Sequence, residues 1–383
     1  MLIIEQIRQI NQLNAADPAA EVYLFDEPVS ALSKSEILEK IKPEECRPDL
    51  YYDKKGRKYT LADNARLKES LNLARISDVT VPRYAFVCQN CNLRLYPSVK
   101  GVYLNNQDID YFAVKWLKIG DRLIVWHTDW LRKWCFVQTN NAWGWVEAEN
   151  IAYAEMDIWL NYAKRDFVTS LLPKMTLQTE QKLSQEIYFA TRLALADARK
   201  NSMEVLLPQK GAGGELVLEK IFLPNQGAWH RGYAPLTGEN ILRLGEKFIG
   251  ERYAWGGVGG GHDCTSLIAD LYASCGIIMP SNSYKQLHLA GIEKIAADMP
   301  LNARRSLIQQ ASTGSVLLFR GHGMIYCGER NERQLILHSV YRLKEGFINQ
   351  TVVGFLEQKR ENGHSLLESV EGIWDIWRLM KNQ

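Results

Sequence analysis

The chain has 383 residues and is 46% hydrophobic, so it can bury more than one hydrophobic core, and two or three domains are expected. Its 46 Lys and Arg residues nearly balance 44 Asp and Glu residues, and no basic run stands out, which excludes nucleic acid as the main partner. A charged fraction of 23% with 11 Trp, 17 Tyr and 11 Phe residues excludes a disordered chain.

The N-terminus, MLIIEQIRQINQL, lacks the apolar region of a signal peptide, and no later run is long enough to span a membrane. We therefore expect a cytoplasmic protein if the sequence is complete, and a periplasmic or cell-envelope protein if a leader has been removed. Cysteines are odd in number and scattered, which does not fit a disulfide framework, so we expect most of them to be reduced. They are Cys46, Cys88, Cys91, Cys135, Cys264, Cys275 and Cys327.

Three segments precede the part of the chain that carries a chemical pattern. Residues 1–72 mix short amphipathic stretches with polar turns and are interpreted as an N-terminal helical adaptor segment. Residues 73–153 consist of short aromatic and β-branched runs broken by turns, the spacing of a small all-β barrel. Residues 154–232 contain further β-like pieces and are predicted to form a second, more divergent β-module.

The closing strands of residues 73–153 have a distinctive composition. A Trp-containing strand is followed by a turn and a Gly-Trp-Val strand, and this pattern resembles the bacterial SH3-like (SH3b) domain. The matching residues are Trp134, Gly144, Trp145 and Val146. The resemblance implies an SH3-like barrel at 73–153, and the β-like pieces of 154–232 predict a second, divergent SH3-like barrel there. Because aromatic side chains fill small cores well, we interpret the Trp-rich strands as core rather than as a carbohydrate-stacking surface.

The sequence changes character after Pro235. Thr237 is a suitable N-cap for a helix that ends near Gly250, and a glycine-rich loop at 256–263 then leads into a second helix. That helix is predicted to begin at Cys264, with an apolar stripe of buried residues and Gly276 at its end. Free backbone N–H groups and the helix dipole favour an anion in the first turn, so we expect a lowered pKa for the Cys264 thiol.

A cysteine nucleophile needs a proton carrier, and two histidines downstream are suitably spaced. Three strands are predicted, at 315–319, 321–328 and 334–339, with a turn at 329–333. Antiparallel pairing of the last two strands would bring His322 beside His338. The predicted arrangement is a β-hairpin with paired imidazoles, packed against the helix that bears Cys264.

Six ordered motifs over residues 253–339 resemble the NlpC/P60 cysteine peptidases. They are Tyr253-Ala-Trp-Gly-Gly257, Asp263-Cys-Thr-Ser-Leu267, Pro280-Ser-Asn-Ser283 with Gln286, Gly314-Ser-Val-Leu-Leu-Phe319, His322-Gly-Met-Ile-Tyr326 and His338-Ser339. The resemblance implies an α+β fold with a C-terminal papain-like domain at 233–383. It also implies Cys264 as nucleophile, His322 as general base and later general acid, and His338 as the residue that orients His322.

The same resemblance implies hydrolysis of the bond between γ-D-glutamate and a diamino acid, usually meso-diaminopimelate, in peptidoglycan stem peptides with a free N-terminal L-Ala. No metal or other cofactor is implied, and we expect a monomer. In such enzymes the first SH3-like module closes one end of the cleft, and Tyr111 and Trp130 are our candidates for that wall. The substrate-binding residues implied are Tyr253, Asp263, Thr265, Asn282 and Ser283.

Other interpretations remain open at the sequence level. One is an amidase or acyltransferase on the same scaffold, and another is a non-catalytic protein that binds cell-wall peptides. His262 and His288 are expected to serve surface or packing roles. Cys88 and Cys91 have zinc-knuckle spacing but lack a second ligand pair of matching spacing, so no metal site is predicted.

Overall fold

The structure is a computed structural model. It describes residues 4–41, 50–104, 108–178, 184–197, 203–223 and 226–381. Cys46 lies outside the described residues.

The N-terminal segment is a set of helices and short strands that is tied to the C-terminal part of the chain. Ile7 and Ile10 on the first helix pack into the core of that part. Asn11 donates to the carbonyl of Gly276 at 2.8 Å and accepts from the N–H of Ile278 at 2.9 Å. Its elements are α1 Ile4–Ala16, β1 Leu32–Ser33, α2 Lys34–Ile41, β2 Tyr51–Tyr52, α3 Leu61–Ser70 and β3 Val79–Thr80.

A seven-stranded antiparallel sheet follows, in the order β11-β4-β8-β9-β10-β5-β7. Trp145 and Phe86 are fully buried in its aromatic core, as predicted for the Trp-rich strands. Its strands are β4 Arg83–Val87, β5 Cys91–Arg94, β7 Ala113–Leu117, β8 Arg122–Thr128, β9 Trp134–Gln138, β10 Trp143–Glu147 and β11 Ile151–Ala154, and β6 Tyr103–Leu104 pairs with β2 instead.

A helix and a second sheet come next. The five-stranded antiparallel sheet has the order β17-β16-β15-β12-β18, and β13 and β14 form a separate hairpin. These elements are α4 Met156–Lys164, β12 Phe167–Ser170, β13 Lys174–Gln178, β14 Ser184–Tyr188, β15 Arg192–Leu195, β16 Glu204–Lys210, β17 Leu216–Phe222 and β18 Trp229–Arg231.

The C-terminal part packs helices against a six-stranded sheet of order β19-β24-β20-β21-β22-β23. The helices are α5 Gly238–Gly245, α6 Cys264–Ser274, α7 Ser283–Gln286, α8 Leu301–Gln309, α9 Leu366–Ser369 and α10 Ile376–Lys381. The strands are β19 Glu293–Lys294, β20 Val316–Phe319, β21 His322–Arg330, β22 Arg333–Leu343, β23 Gly346–Phe355 and β24 Gly372–Trp374.

The hairpin of β21 and β22 is tighter than the sequence predicts. Only Asn331 and Glu332 connect the strands, with φ of 51° and 60°, where a five-residue turn was expected. Positive φ at both central residues matches the right-handed twist of the strands. Because β22 continues to Leu343, His338 lies within the strand rather than at its end.

The fold is a mixed α+β architecture with helices at the N-terminus and β-sheets before the C-terminal domain, as predicted. The three boundaries between the four predicted segments and the SH3-like assignment of the two sheets remain predictions. Within the described ranges, no helix has both the length and the apolar character needed to cross a bilayer.

Candidate active site

Cys264 is the first residue of α6, as predicted, and the preceding residue fixes the helix start. Oδ1 of Asp263 accepts from the N–H groups of Thr265 at 3.0 Å and Ser266 at 2.7 Å, and the Ser266 hydroxyl accepts from the Asp263 N–H at 2.8 Å. This reciprocal capping box satisfies backbone donors that a helix start otherwise leaves free. Cys264 is thereby held buried in the first turn.

The expected lowering of the Cys264 pKa was wrong. Burial raises the pKa of the Cys264 thiol to about 12, and the neighbouring Asp263 charge acts in the same direction. The backbone N–H groups of Gly323, Thr265 and Cys264 itself oppose this rise. Loss of water outweighs the helix-start donors because solvation of the thiolate is the larger effect. The resting sulfur is therefore a neutral thiol.

His322 and His338 are brought together, as the hairpin predicts. Nε2 of His322 lies 2.9 Å from Nδ1 of His338 and both rings are buried. Burial, the nearby His338 and the Arg360 charge hold the pKa of His322 well below its usual value. Burial alone lowers the pKa of His338 to about 4. Both imidazoles are therefore neutral at pH 7.

The sheet register explains why the two rings meet. Ile325 pairs with Leu337, and extending that register places Val340 opposite His322. His322 and His338 are therefore diagonal neighbours on one face of the sheet, within reach of long side chains.

Cys264 lies where β21 begins. The N–H of Gly323, the residue after His322, is directed at the Cys264 sulfur. A Cβ added at Gly323 would meet Cδ1 of Ile268 at 2.7 Å, so glycine lets α6 approach this strand closely. Because Nε2 of His322 faces His338, Nδ1 is the ring nitrogen available to a thiol proton.

The predicted substrate-binding residues on either side of the glycine-rich loop also lie near Cys264. Burial raises the pKa of Tyr253, and the Cys264 and Asp263 charges add to the rise. The Thr265 hydroxyl donates to Oδ1 of Asp263 at 3.0 Å, and Oδ2 accepts from the Gly256 N–H at 2.8 Å. The Asp263 carboxylate thus links the loop to the start of α6.

Asn282 and Ser283 make structural hydrogen bonds on the other side of the site. Asn282 caps α7 by accepting from the N–H of Lys285 at 3.0 Å. The Ser283 hydroxyl accepts from the N–H of Gly321 at 2.9 Å, in the turn just before His322. Ser283 therefore ties α7 to the strand that presents the imidazole.

One of the two candidate wall residues reaches the C-terminal domain. The Tyr111 and Trp255 rings have centroids 5.3 Å apart, and Trp255 remains 37% exposed. Behind this pair, a Cβ at Gly256 would lie 3.1 Å from the backbone of Ala113 in β7, so the loop packs tightly on the first sheet. Trp130 is 58% exposed and stacks with Arg75 at 5.0 Å instead.

His262 is a packing residue, in a buried ionic cluster. The ring is 2% exposed and contacts Glu251 at 2.7 Å and Asp270 at 3.1 Å. Lys118, from the first sheet, pairs with Asp270 at 2.6 Å. Burial lowers the pKa of His262, but the two carboxylates outweigh that effect and raise it to about 9. His288, by contrast, is a surface residue paired with Asp17 at 3.1 Å.

Three neighbours of the site were not singled out from the sequence. Arg360 stacks on Phe319 at 4.5 Å and places a positive charge near His322. The Ser339 hydroxyl donates to the carbonyl of His262 at 2.9 Å, which joins β22 to the loop before Cys264. Lys118 and Arg360 come from distant parts of the chain, and no sequence pattern around them indicates a role at the site. Ser339 belongs to the His338-Ser339 motif.

No group of three or more His, Cys, Asp or Glu side chains converges as a metal site in the parts of the chain that the structure describes. Cys88 and Cys91 are buried free thiols, and burial raises the pKa of Cys88 to about 12.

Comparison with known proteins assigns the C-terminal part of the chain to a family. Residues 250–353 match the model of the NlpC/P60 family. The C-terminal domain is an NlpC/P60 domain. This domain contains the loop before Cys264 and both histidines, and the family lies within the cysteine peptidase superfamily.

Part of the chain is similar in sequence to a curated protein. The γ-D-glutamyl-L-lysine dipeptidyl-peptidase of Bacillus cereus is 28% identical over 150 residues, which cover 37% of this chain and 42% of that protein. The alignment thus spans less than half of the relative's length.

Two solved structures resemble the chain in fold. An NlpC/P60 endopeptidase from Photobacterium damselae subsp. piscicida gives a TM-score of 0.78 at 18% identity, covering 97% of this chain and 92% of that one. An NlpC/P60 family protein from Bacillus cereus gives 0.55 at 19% identity, covering 76% of this chain and 98% of that one. The first likeness extends through the segments that precede the NlpC/P60 domain.

Proposed function

We propose that the protein is a cysteine peptidase that hydrolyses the γ-D-glutamyl–diamino acid bond of peptidoglycan stem peptides. The observation that carries this proposal is the buried His322–His338 pair, 2.9 Å between ring nitrogens, at the strand end that contacts the Cys264 sulfur. In the proposed mechanism Cys264 is the nucleophile, His322 is the general base and later the general acid, and His338 orients His322.

The neutral resting groups define the first step. Nδ1 of His322 takes the thiol proton as the sulfur attacks the γ-carbonyl carbon, so the ion pair forms only during reaction. The carbonyl π electrons move to oxygen, and the backbone N–H groups of Cys264 and Gly323, which lie beside the sulfur, stabilise the oxyanion. Collapse of the tetrahedral intermediate breaks the C–N bond. The amine leaves with the proton from His322, and a thioester of Cys264 remains.

Water completes the cycle. His322 removes a proton from water, the hydroxide adds to the thioester carbon, and Cys264 leaves as a thiolate that regains a proton from His322. The His338 acceptor stays bonded to Nε2–H of His322 throughout, which keeps Nδ1 directed at the reacting atoms.

Substrate choice is inferred from the wall of the site. Tyr111 and Trp255 form an aromatic barrier at the junction of β7 and the glycine-rich loop, close to Tyr253. A barrier there favours peptides that end at L-Ala with a free amine over longer, glycan-linked chains. The Asp263 carboxylate supplies negative charge beside Cys264 for that ammonium group. The B. cereus relative is named for a γ-D-glutamyl-L-lysine bond, which supports the same bond class.

The proposal is tested with defined peptides and mass spectrometry. L-Ala-γ-D-Glu-meso-diaminopimelate, the corresponding L-Lys peptide and an N-acetylated form of each are incubated with the full chain in heavy-oxygen water. We expect L-Ala-γ-D-Glu carrying one heavy oxygen, the free diamino acid, and slow cleavage of the acetylated forms. Cys264→Ala should abolish turnover.

Other products would support the alternatives. Cleavage at another amide bond, or transfer of the acyl group to an added amine, would favour an amidase or acyltransferase. Peptide binding with no turnover, equal in wild type and Cys264→Ala, would favour a binding protein and contradict the mechanism.

A further inference from the structure

A cavity of about 620 Å³ lies behind α6. The helix lines it with Ala269, Asp270 and Ala273, on the face opposite Ile268 and Leu271, which point into the core of the NlpC/P60 domain. The N-terminal segment and both β-rich segments supply the other walls. Because it lies on the opposite helix face, this cavity is separate from the site at Cys264.

The walls carry an excess of positive charge. Among the described lining residues, seven are Lys or Arg and four are Asp. One of these acids, Asp270, is already neutralised by Lys118 at 2.6 Å and by His262 at 3.1 Å. Burial raises the pKa of a second, Asp121, and the charges of Lys115 and Lys118 oppose that rise. The seven cations outnumber the four carboxylates, so the charge of the described walls is not balanced within the cavity.

Arg122 is the first of three such cations. It donates to the carbonyl of Phe25 at 2.9 Å and lies over the Trp159 ring at 4.3 Å. In the described part of the chain, no carboxylate oxygen is within ion-pair distance of its guanidinium. Burial lowers the pKa of Arg122 to about 10, the like charge of Arg192 contributes to the decrease, and the more distant Asp26 charge opposes it.

Arg192 and Lys115 complete the set. Arg192 lies 3.7 Å over the Phe167 ring and donates to the Tyr233 hydroxyl at 3.1 Å. The Lys115 ammonium donates to Oδ1 of Asn141 at 2.7 Å, and burial lowers its pKa, although the Asp121 and Asp270 charges, beyond ion-pair distance, oppose the decrease. Both cations thus bond to neutral oxygens, and no ion pair joins either of them to another described residue.

We propose that this cavity binds a small molecule carrying two or more oxyanion groups, held by Arg122, Arg192 and Lys115. Planar guanidinium groups pair bidentately with carboxylate and with phosphate, so the site fits either chemistry. The volume is in the range of small-molecule sites. An anion would relieve the repulsion between the two arginines and supply the missing counter-charge. This inference does not depend on peptidase activity.

Isothermal titration calorimetry on the full-length Cys264→Ala protein tests the site. Citrate probes carboxylate ligands, pyrophosphate probes phosphate ligands, and glycerol is the uncharged control, all at constant ionic strength. We expect saturable binding of citrate, pyrophosphate or both, and none of glycerol. The stronger of the two anions identifies the source of the oxyanion groups. Absence of binding of both anions at millimolar concentration would overturn the proposal.

Two variants locate the binding. Arg192→Gln removes a cation, and Ala273→Leu fills the cavity from α6 without removing any bond, so it remains informative if the first variant is unstable. Each should weaken anion binding by at least about tenfold. Arg333→Gln is the matched control, because Arg333 is also stacked on an aromatic ring, that of Phe355 at 3.5 Å, but does not line the cavity. Equal anion affinity in all three variants would contradict the assignment.

Discussion

Nε2 of His322 and Nδ1 of His338 lie 2.9 Å apart, and one proton must lie between them because both rings are neutral. For Nδ1 of His322 to accept the thiol proton, its Nε2 must carry the hydrogen and Nδ1 of His338 must accept it. Nε2 of His338 then carries the remaining hydrogen. That atom is buried without a hydrogen-bond partner among the described residues.

Replacing His338 with Asn should preserve more activity than replacing it with Leu. The Asn Oδ1 occupies nearly the position of the imidazole Nδ1 and can still accept from His322, whereas Leu cannot. We expect kcat for peptide hydrolysis to fall about tenfold in His338→Asn and about a thousandfold in His338→Leu. Steady-state kinetics on the tripeptide measures both.

KM should change little in either variant, since His338 is not expected to touch substrate. If kcat falls equally in the two variants, and circular dichroism shows that both are folded, then a hydrogen-bond acceptor at position 338 does not contribute to catalysis.

The neutral thiol predicts a distinctive reactivity. Because burial raises the pKa of Cys264 to about 12, iodoacetamide should alkylate it slowly at pH 7 and about tenfold faster for each pH unit up to pH 10. The modified peptide is identified by mass spectrometry, with Cys264→Ala as the control. A rate that is high and constant between pH 6 and 9 would instead indicate a preformed thiolate–imidazolium pair.

Much of the site could be predicted from local sequence. The start of α6 at Cys264 follows from an apolar stripe that begins after a glycine-rich loop, and the pairing of His322 with His338 follows from two strands joined by a turn. These features depend on neighbours close in the chain, where periodicity and turn chemistry are informative.

Burial and long-range packing could not be predicted in this way. The helix start at Cys264 predicts a lowered thiol pKa, but burial raises it, and the depth of the first turn depends on how β21 covers it. The partner of Asp270 is Lys118, which follows strand β7 far away in the chain, and nothing near either residue in the sequence indicates the pair. Tyr111 was a candidate for the wall, but its contact with Trp255 depends on how the first sheet packs on the glycine-rich loop.

Tyr111→Ala should relax the requirement for a free amino end. Removing the ring opens the barrier that it forms with Trp255. We expect kcat/KM for the N-acetylated tripeptide to rise relative to the free peptide by about tenfold, which corresponds to about 1.4 kcal/mol of lost discrimination. Trp130→Ala is the matched control, since that ring stacks on Arg75 away from the loop, and it should leave the ratio unchanged. A ratio unaffected by Tyr111→Ala would remove Tyr111 from the wall.

His262 should make folding stability decrease at alkaline pH. Its folded pKa, about 9, lies above the ordinary value of 6.5, so the folded state binds the proton more tightly than the unfolded state. The resulting stabilisation, up to about 3 kcal/mol, is fully present below pH 6.5 and is lost as pH rises to about 9. The pKa values of His322 and His338 are lowered in the folded state, so the unfolded state binds their protons more tightly. These two residues therefore decrease folding stability as pH falls below 6.5.

The contribution of His262 to folding stability is measurable by urea unfolding of wild type and His262→Gln at pH 6.5, 8 and 9.5. Gln can donate to one carboxylate but does not titrate, so the variant should be less stable than wild type at pH 6.5 and should converge with it by pH 9.5. His288→Gln is the control, because that ring is exposed and pairs only with Asp17 among the described residues. A stability difference between wild type and His262→Gln that stays constant over this range would mean that His262 is not protonated in the cluster with Glu251 and Asp270.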